Sequence, residues 1–173
     1  MHPHPPEPNE YAPYYSKYIS LLKSDDLVET LASQARDTCG LLNRISEEQA
    51  NSRYEPGKWS IKEVLGHIND TERIFSYRAL RIGRNDQRPI EGYEQDDYVR
   101  YGPFGNCRLS DLLEEFQAVR QSTLLLLKKF DQEAWLRRGV ANQNEVSVRA
   151  LGYIIAGHEL HHRSILKDKY QIA

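Results

Sequence analysis

Apolar residues recur at three- and four-residue steps along four long stretches of the chain, the spacing that gathers them on one face of an α-helix. The first stretch runs from about 24 to 45, with Leu27, Leu31, Ala35, Leu42 and Ile45 in phase, and Ser24, Asp25 and Asp26 offer a cap and negative charge at its start. A short acidic piece from Ser46 to Gln49 leads into a loop around Pro56 and Gly57. The second helix begins at Ser60, which forms an S-x-x-E capping box with Glu63. Its apolar face is Ile61, Val64, Leu65, Ile68, Phe75, Ala79 and Ile82, and Gly83 supplies its stop. The third runs from Ser110, an N-cap candidate, through Leu112, Leu113, Phe116 and Val119 to Leu127. Asp131 opens a short turn carrying Trp135, and the last helix starts at Ser147 and continues to about Tyr170. No run alternates as a half-buried strand does, and residues 84–109 show no helical period. The pattern predicts an all-α four-helix bundle with a long crossover loop between the second and third helices.

Composition narrows the classes of function. At 173 residues the chain has the size of one domain, taken as 11–173, preceded by a flexible His/Pro-rich tail over 1–10 that includes His2 and His4. A net charge of -2 gives no field for a phosphate backbone or an anionic membrane, so neither nucleic acid nor membrane is expected as a partner. No stretch approaches the roughly 18 apolar residues of a membrane span, and the N-terminus lacks the basic-then-apolar order of a secretion signal, which predicts a cytoplasmic protein. Cys39 and Cys107 lie far apart without a CxxC spacing and are read as free thiols.

Candidate chemistry lies with histidine. On the last helix the stripe of Leu151, Ile154, Ile155, Ile165 and Leu166 has His158 and His162 near its middle, while His161 falls roughly 80° to one side. Burying two neutral imidazoles at i and i+4 needs a common reason, and a metal ion supplies one, because H-x-x-x-H presents both rings to a single cation. Core histidines bonded to neighbouring helices are the alternative. The same residues match HExxH in form, with Glu159 as a general base, but a zincin takes its third ligand downstream, and no histidine follows His162. His67, about 100° from the centre of its helix's apolar stripe, suits either a ligand at the lip of a pocket or an exposed residue. Gly66 beside it leaves room for close approach.

The stretches Lys58-Trp-Ser-Ile-Lys-Glu-Val-Leu-Gly-His67, Asp70-Thr-Glu-Arg-Ile-Phe, Gly92-Tyr-Glu-Gln-Asp-Asp-Tyr and Gly157-His-Glu-Leu-His-His-Arg163 together resemble the DinB-like superfamily, which includes the YfiT-like metal-dependent hydrolases and thiol-dependent S-transferases. The likeness extends from about Tyr11 to Tyr170. It implies an up-down-down-up bundle, often a homodimer, with His67 as first metal ligand and His158 and His162 as second and third. Three histidines leave a Zn²⁺ or Ni²⁺ ion with open positions, as catalysis requires. The resemblance implies a small-molecule substrate and transfer of a low-molecular-weight thiol to an electrophile, with metal-dependent hydrolysis or a non-catalytic stress-response role as alternatives. Glu159 is a candidate catalytic residue that relays a proton or orients a ring, unless it faces solvent. Asp70 and His161 either support the ligands or belong to ordinary polar faces, and Arg73 and Arg163 either hold an anionic substrate or form surface salt bridges.

Overall fold

The computed structural model describes residues 4–24 and 26–172. Eight helices follow in chain order: α1 (Ser16–Ile19), α2 (Leu27–Leu42), α3 (Glu47–Asn51), α4 (Ile61–Gly83), α5 (Gln95–Tyr101), α6 (Leu109–Leu127), α7 (Gln132–Leu136) and α8 (Val148–Tyr170). The four long ones, α2, α4, α6 and α8, form a four-helix bundle. Asp26 caps α2, Ser60 and Glu63 close the expected capping box on α4, and the Ser147 hydroxyl accepts the Ala150 amide at the head of α8. The expected cap of the third helix differs. Helix α6 begins at Leu109, and its first amide is met by the Glu47 carboxylate of α3 at 2.8 Å, so Ser110 lies inside the helix. Asp25 and His2 lie outside the described residues.

Helices α2 and α4 are diagonal to each other, and each packs between α6 and α8. Hydrogen bonds between the helices fix their directions. Gln34 donates to the Ala156 carbonyl and Thr38 to Glu159, so α2 and α8 run parallel. Arg120 donates to the Leu31 carbonyl and Gln117 to Cys39 Sγ, so α2 and α6 are antiparallel. Asn69 meets Leu112 and Glu72 meets Arg120, making α4 and α6 parallel. The resulting order is up-down-down-up, and residues 84–108 carry the chain back to the start of α6. That stretch is not wholly irregular. It holds α5 and a 3-10 turn at Phe104–Asn106, both too short to show a periodic stripe.

A two-stranded hairpin was not anticipated: β1 (Arg138–Ala141) pairs antiparallel with β2 (Asn144–Ser147). Its turn residues Asn142 and Gln143 both have positive φ, 48° and 64°, the geometry of a tight hairpin turn made here without the usual glycine. Each strand is only four residues long, too short for alternation to register. Of the stretch expected as a tail, Pro8–Glu10 form a 3-10 turn, and buried Glu10 is held by the Arg149 guanidinium.

Two apolar clusters fill the bundle. One gathers Leu27, Phe75, Ile82, Leu127 and Ile154, and the other Leu42, Leu65, Leu112, Phe116 and Leu166. Between them lies a belt of buried polar groups drawn from all four helices, including Thr38, His67, Glu72, Arg120, His158, Glu159 and His162. Among the described residues, no helix is long and apolar enough to cross a membrane.

Candidate metal centre

The polar belt has two parts of different chemistry. On one side Arg120, 1% exposed, donates to Glu72 at 2.8 Å, to Glu159 at 2.6 Å and to the Leu31 carbonyl at 2.7 Å. Burial alone would disfavour its charge, but the two carboxylates more than offset this and raise its pKa. Thr38 occupies the other Glu159 oxygen at 2.5 Å. Glu159 therefore faces neither solvent nor any hydrogen-bonding histidine. It ties α8 to α2 and α6.

On the other side three imidazoles from α4 and α8 meet. His67 Nε2 lies 3.0 Å from His158 Nε2, which lies 3.1 Å from His162 Nε2. The donor nitrogens of the three all fall within 4.8 Å of one another. Two ligands on a tetrahedral zinc, at roughly 2.0–2.1 Å each, sit about 3.3 Å apart, so the 3.0 and 3.1 Å separations about His158 are close to what a shared cation sets. His67 is buried, not exposed: α8 covers it on one side, and the Trp59 ring lies over it at 4.8 Å between centroids. The wheel count missed this because Trp59 precedes the helix. His162 Nδ1 is buried with no hydrogen-bond partner, while His67 Nδ1 has the Thr71 hydroxyl at 3.5 Å, itself 2.8 Å from the Tyr93 hydroxyl.

Burial lowers the His67 pKa to about 4. Burial first, then the neighbouring rings, pushes those of His158 and His162 well below the usual histidine value. Each ring is thus held neutral, the state in which imidazole ligates a metal. Because the folded-state pKa values lie below the unfolded value, the unfolded chain takes up more protons as pH falls. The metal-free protein should keep its stability above about pH 6.5 and lose it from there downward, with His67 alone costing about 3 kcal/mol by pH 4. Urea midpoints measured from pH 8 to pH 4.5 test this; a midpoint that stays level until the carboxylates titrate would contradict it.

Two glycines shape the surroundings. A Cβ on Gly157 would collide with the Tyr18 carbonyl oxygen, so this residue lets the α1 backbone lie against α8 and sets the Tyr18 ring edge-on to His158, 5.4 Å between centroids. Gly66 likewise leaves space for Phe104. A cavity of about 290 Å³ opens beside His158, bounded by Tyr14, Tyr18, Thr71, Arg78 and Tyr93. A second, of about 310 Å³, reaches His162 past Trp59 and Tyr170. His161, half-buried against Tyr18 and His162, stands beside the cluster. Asp70 and Arg73 pair with each other, Arg73 also pairs with Glu115, and Arg163 pairs with Asp37, so both arginines engage in ion pairs at the surface. Arg78 was not anticipated as a cavity residue, and only its place one turn after Phe75 on α4 hinted at it.

The four-helix bundle thus brings together three buried histidines whose nitrogens could hold a metal ion, with no fourth protein donor grouped with them among the described residues. The DinB superfamily model matches residues 30–166, and the chain belongs to that superfamily. It is 22% identical over 142 residues to a proposed metal-dependent hydrolase of Oceanobacillus iheyensis, covering 81% of this chain and 79% of the relative. Among solved structures it resembles YfiT of Bacillus subtilis, described as a proposed metal-dependent hydrolase with an unusual four-helix bundle topology. The TM-score is 0.70 at 16% identity, over 99% of this chain and 95% of that one. It also resembles a mycothiol-dependent maleylpyruvate isomerase, with a TM-score of 0.68 at 9% identity over 84% of this chain and 61% of that one. The DinB-like protein YjoA of Bacillus subtilis gives 0.61 at 19% identity, over 84% and 89%. At these identities the structural likenesses establish the fold.

Proposed function

We propose that the chain is a metal-dependent enzyme in which His67, His158 and His162 hold a Zn²⁺ or Ni²⁺ ion for transfer of a low-molecular-weight thiol to an electrophilic small molecule. The observation that carries this reading is the meeting of three imidazole Nε2 atoms in a buried belt beside an open cavity. A divalent cation there would lower the pKa of a bound thiol or water and offer it as a nucleophile at neutral pH. The protein's part is geometric. Trp59 and Tyr18 limit the tilt of the His67 and His158 rings, and Thr71, backed by Tyr93, sits at the second nitrogen of His67. Glu159 enters as a positioning residue, because its carboxylate is engaged by Arg120 and Thr38 and fixes α8 behind the two ligands.

Hydrolysis is the second reading, favoured by the names given to YfiT and to the Oceanobacillus relative. Incubating the metal-loaded protein with 1-chloro-2,4-dinitrobenzene, with and without cysteine, coenzyme A, bacillithiol or mycothiol, separates the two. Turnover that needs a thiol and stops on chelation is expected. Turnover of ester substrates without thiol would replace transfer by hydrolysis, and a protein that holds no metal would end both.

A further inference from the structure

Arg78 is the one buried guanidinium of the bundle with no carboxylate beside it among the described residues. It is 3% exposed, its Nη2 donates to the Glu91 carbonyl at 3.0 Å, and its Nε is buried without any acceptor. The group lies over the Phe75 ring at 4.9 Å and near the Tyr93 ring at 5.9 Å, with the Tyr15 hydroxyl as a further neighbour. Arg120, equally buried, has two carboxylates. A buried charge with an unmet donor is unfavourable unless something else supplies the acceptor, and Arg78 lines the same cavity as His158.

We infer that Arg78 anchors the carboxylate of an organic substrate whose reacting atom lies at the histidine cluster. The inference takes the reaction from the reading above, but the binding it asserts stands apart from the metal. The planar fork of arginine matches a carboxylate. Exposed Glu94 and Asp96 at the rim would repel a more highly charged anion, which favours a monocarboxylate. Tyr14, Tyr15, Tyr18 and Phe75 offer walls for an aromatic or alkyl body. Arg78 follows His67 by eleven residues on α4, about 16 Å of helix rise. The charged end of the substrate is therefore several bonds from the reacting atom.

Calorimetric titration of the metal-loaded and the metal-stripped protein with 4-phenylbutyrate and with its neutral amide tests this. The carboxylate is expected to bind at least about tenfold more tightly than the amide in both forms, as a charge-assisted contact implies. Arg78→Gln should abolish the preference and Arg78→Lys should keep part of it. The inference is overturned by equal affinities, by no binding of either probe, or by a preference that survives in Arg78→Gln. A preference that vanishes with the metal also overturns it, since the carboxylate would then have gone to the ion. Should Arg78→Gln not fold, the wild-type comparison decides. Metal content of the same samples reports separately on the histidine site, so a protein without metal removes the enzyme reading and leaves the carboxylate comparison intact.

Discussion

Replacing His158 by alanine is expected to reduce bound divalent metal from about one ion per chain to roughly a tenth of that, with helix content unchanged, since a three-ligand site has no protein donor in reserve. His158 is the middle member of the cluster, with its Nε2 3.0 Å from His67 and 3.1 Å from His162. Among the described residues, no other donor is grouped with His67 and His162 to replace it. His161 stands beside the cluster with its ring edge-on to Tyr18, and Glu159 is engaged by Arg120 and Thr38. The measurement is elemental analysis of untagged protein after dialysis against one equivalent of Zn²⁺ or Ni²⁺, in a background where His2 and His4 are replaced so that the N-terminus binds no stray ion. Stoichiometric metal in the variant would show that the three rings meet for another reason.

Arg120→Ala should be the most damaging substitution to the fold. It removes the one guanidinium among the described residues that donates to Glu72 and Glu159, which are 3% and 0% exposed, and takes a donor from the Leu31 carbonyl. Breaking a buried pair on one side typically costs about 3–5 kcal/mol, a large share of the roughly 5–15 kcal/mol that holds a domain together. Replacing all three charges with apolar residues of similar volume should recover much of the loss, because the desolvation of the carboxylates is then relieved as well. Urea unfolding of the single and triple variants gives both numbers. A loss below about 1 kcal/mol for Arg120→Ala would place the network among ordinary surface pairs.

The four long helices were legible because each carries an apolar face and a start signal: Asp26, Ser60 and Ser147 cap as the sequence suggests. The third start was misread because its cap comes from Glu47, 62 residues earlier, and no local rule sees a tertiary partner. The hairpin at 138–147 was hidden by its shortness and by a turn built from Asn142 and Gln143 without glycine. At the site, position on the wheel singled out His158 and His162 together. It left His67 at the border, and the resemblance, not the periodicity, brought it in. Glu72 and Arg120 interrupt the apolar stripes of their own helices, four residues after Ile68 and Phe116. That interruption was a readable sign of a buried ion pair between α4 and α6. Arg78 carried no comparable mark, because an arginine near the end of an amphipathic helix is ordinary until a cavity is seen around it.

The diagonal placement of α2 and α4, and of α6 and α8, affects how the molecule forms. No two long helices that follow one another along the chain make an antiparallel pair, so no stable helical hairpin assembles early and waits for the rest. Nearly every large interface joins segments far apart along the polypeptide, which slows folding relative to a simple meander of the same size. The three imidazoles, divided between α4 and α8, come together only after synthesis has passed His162.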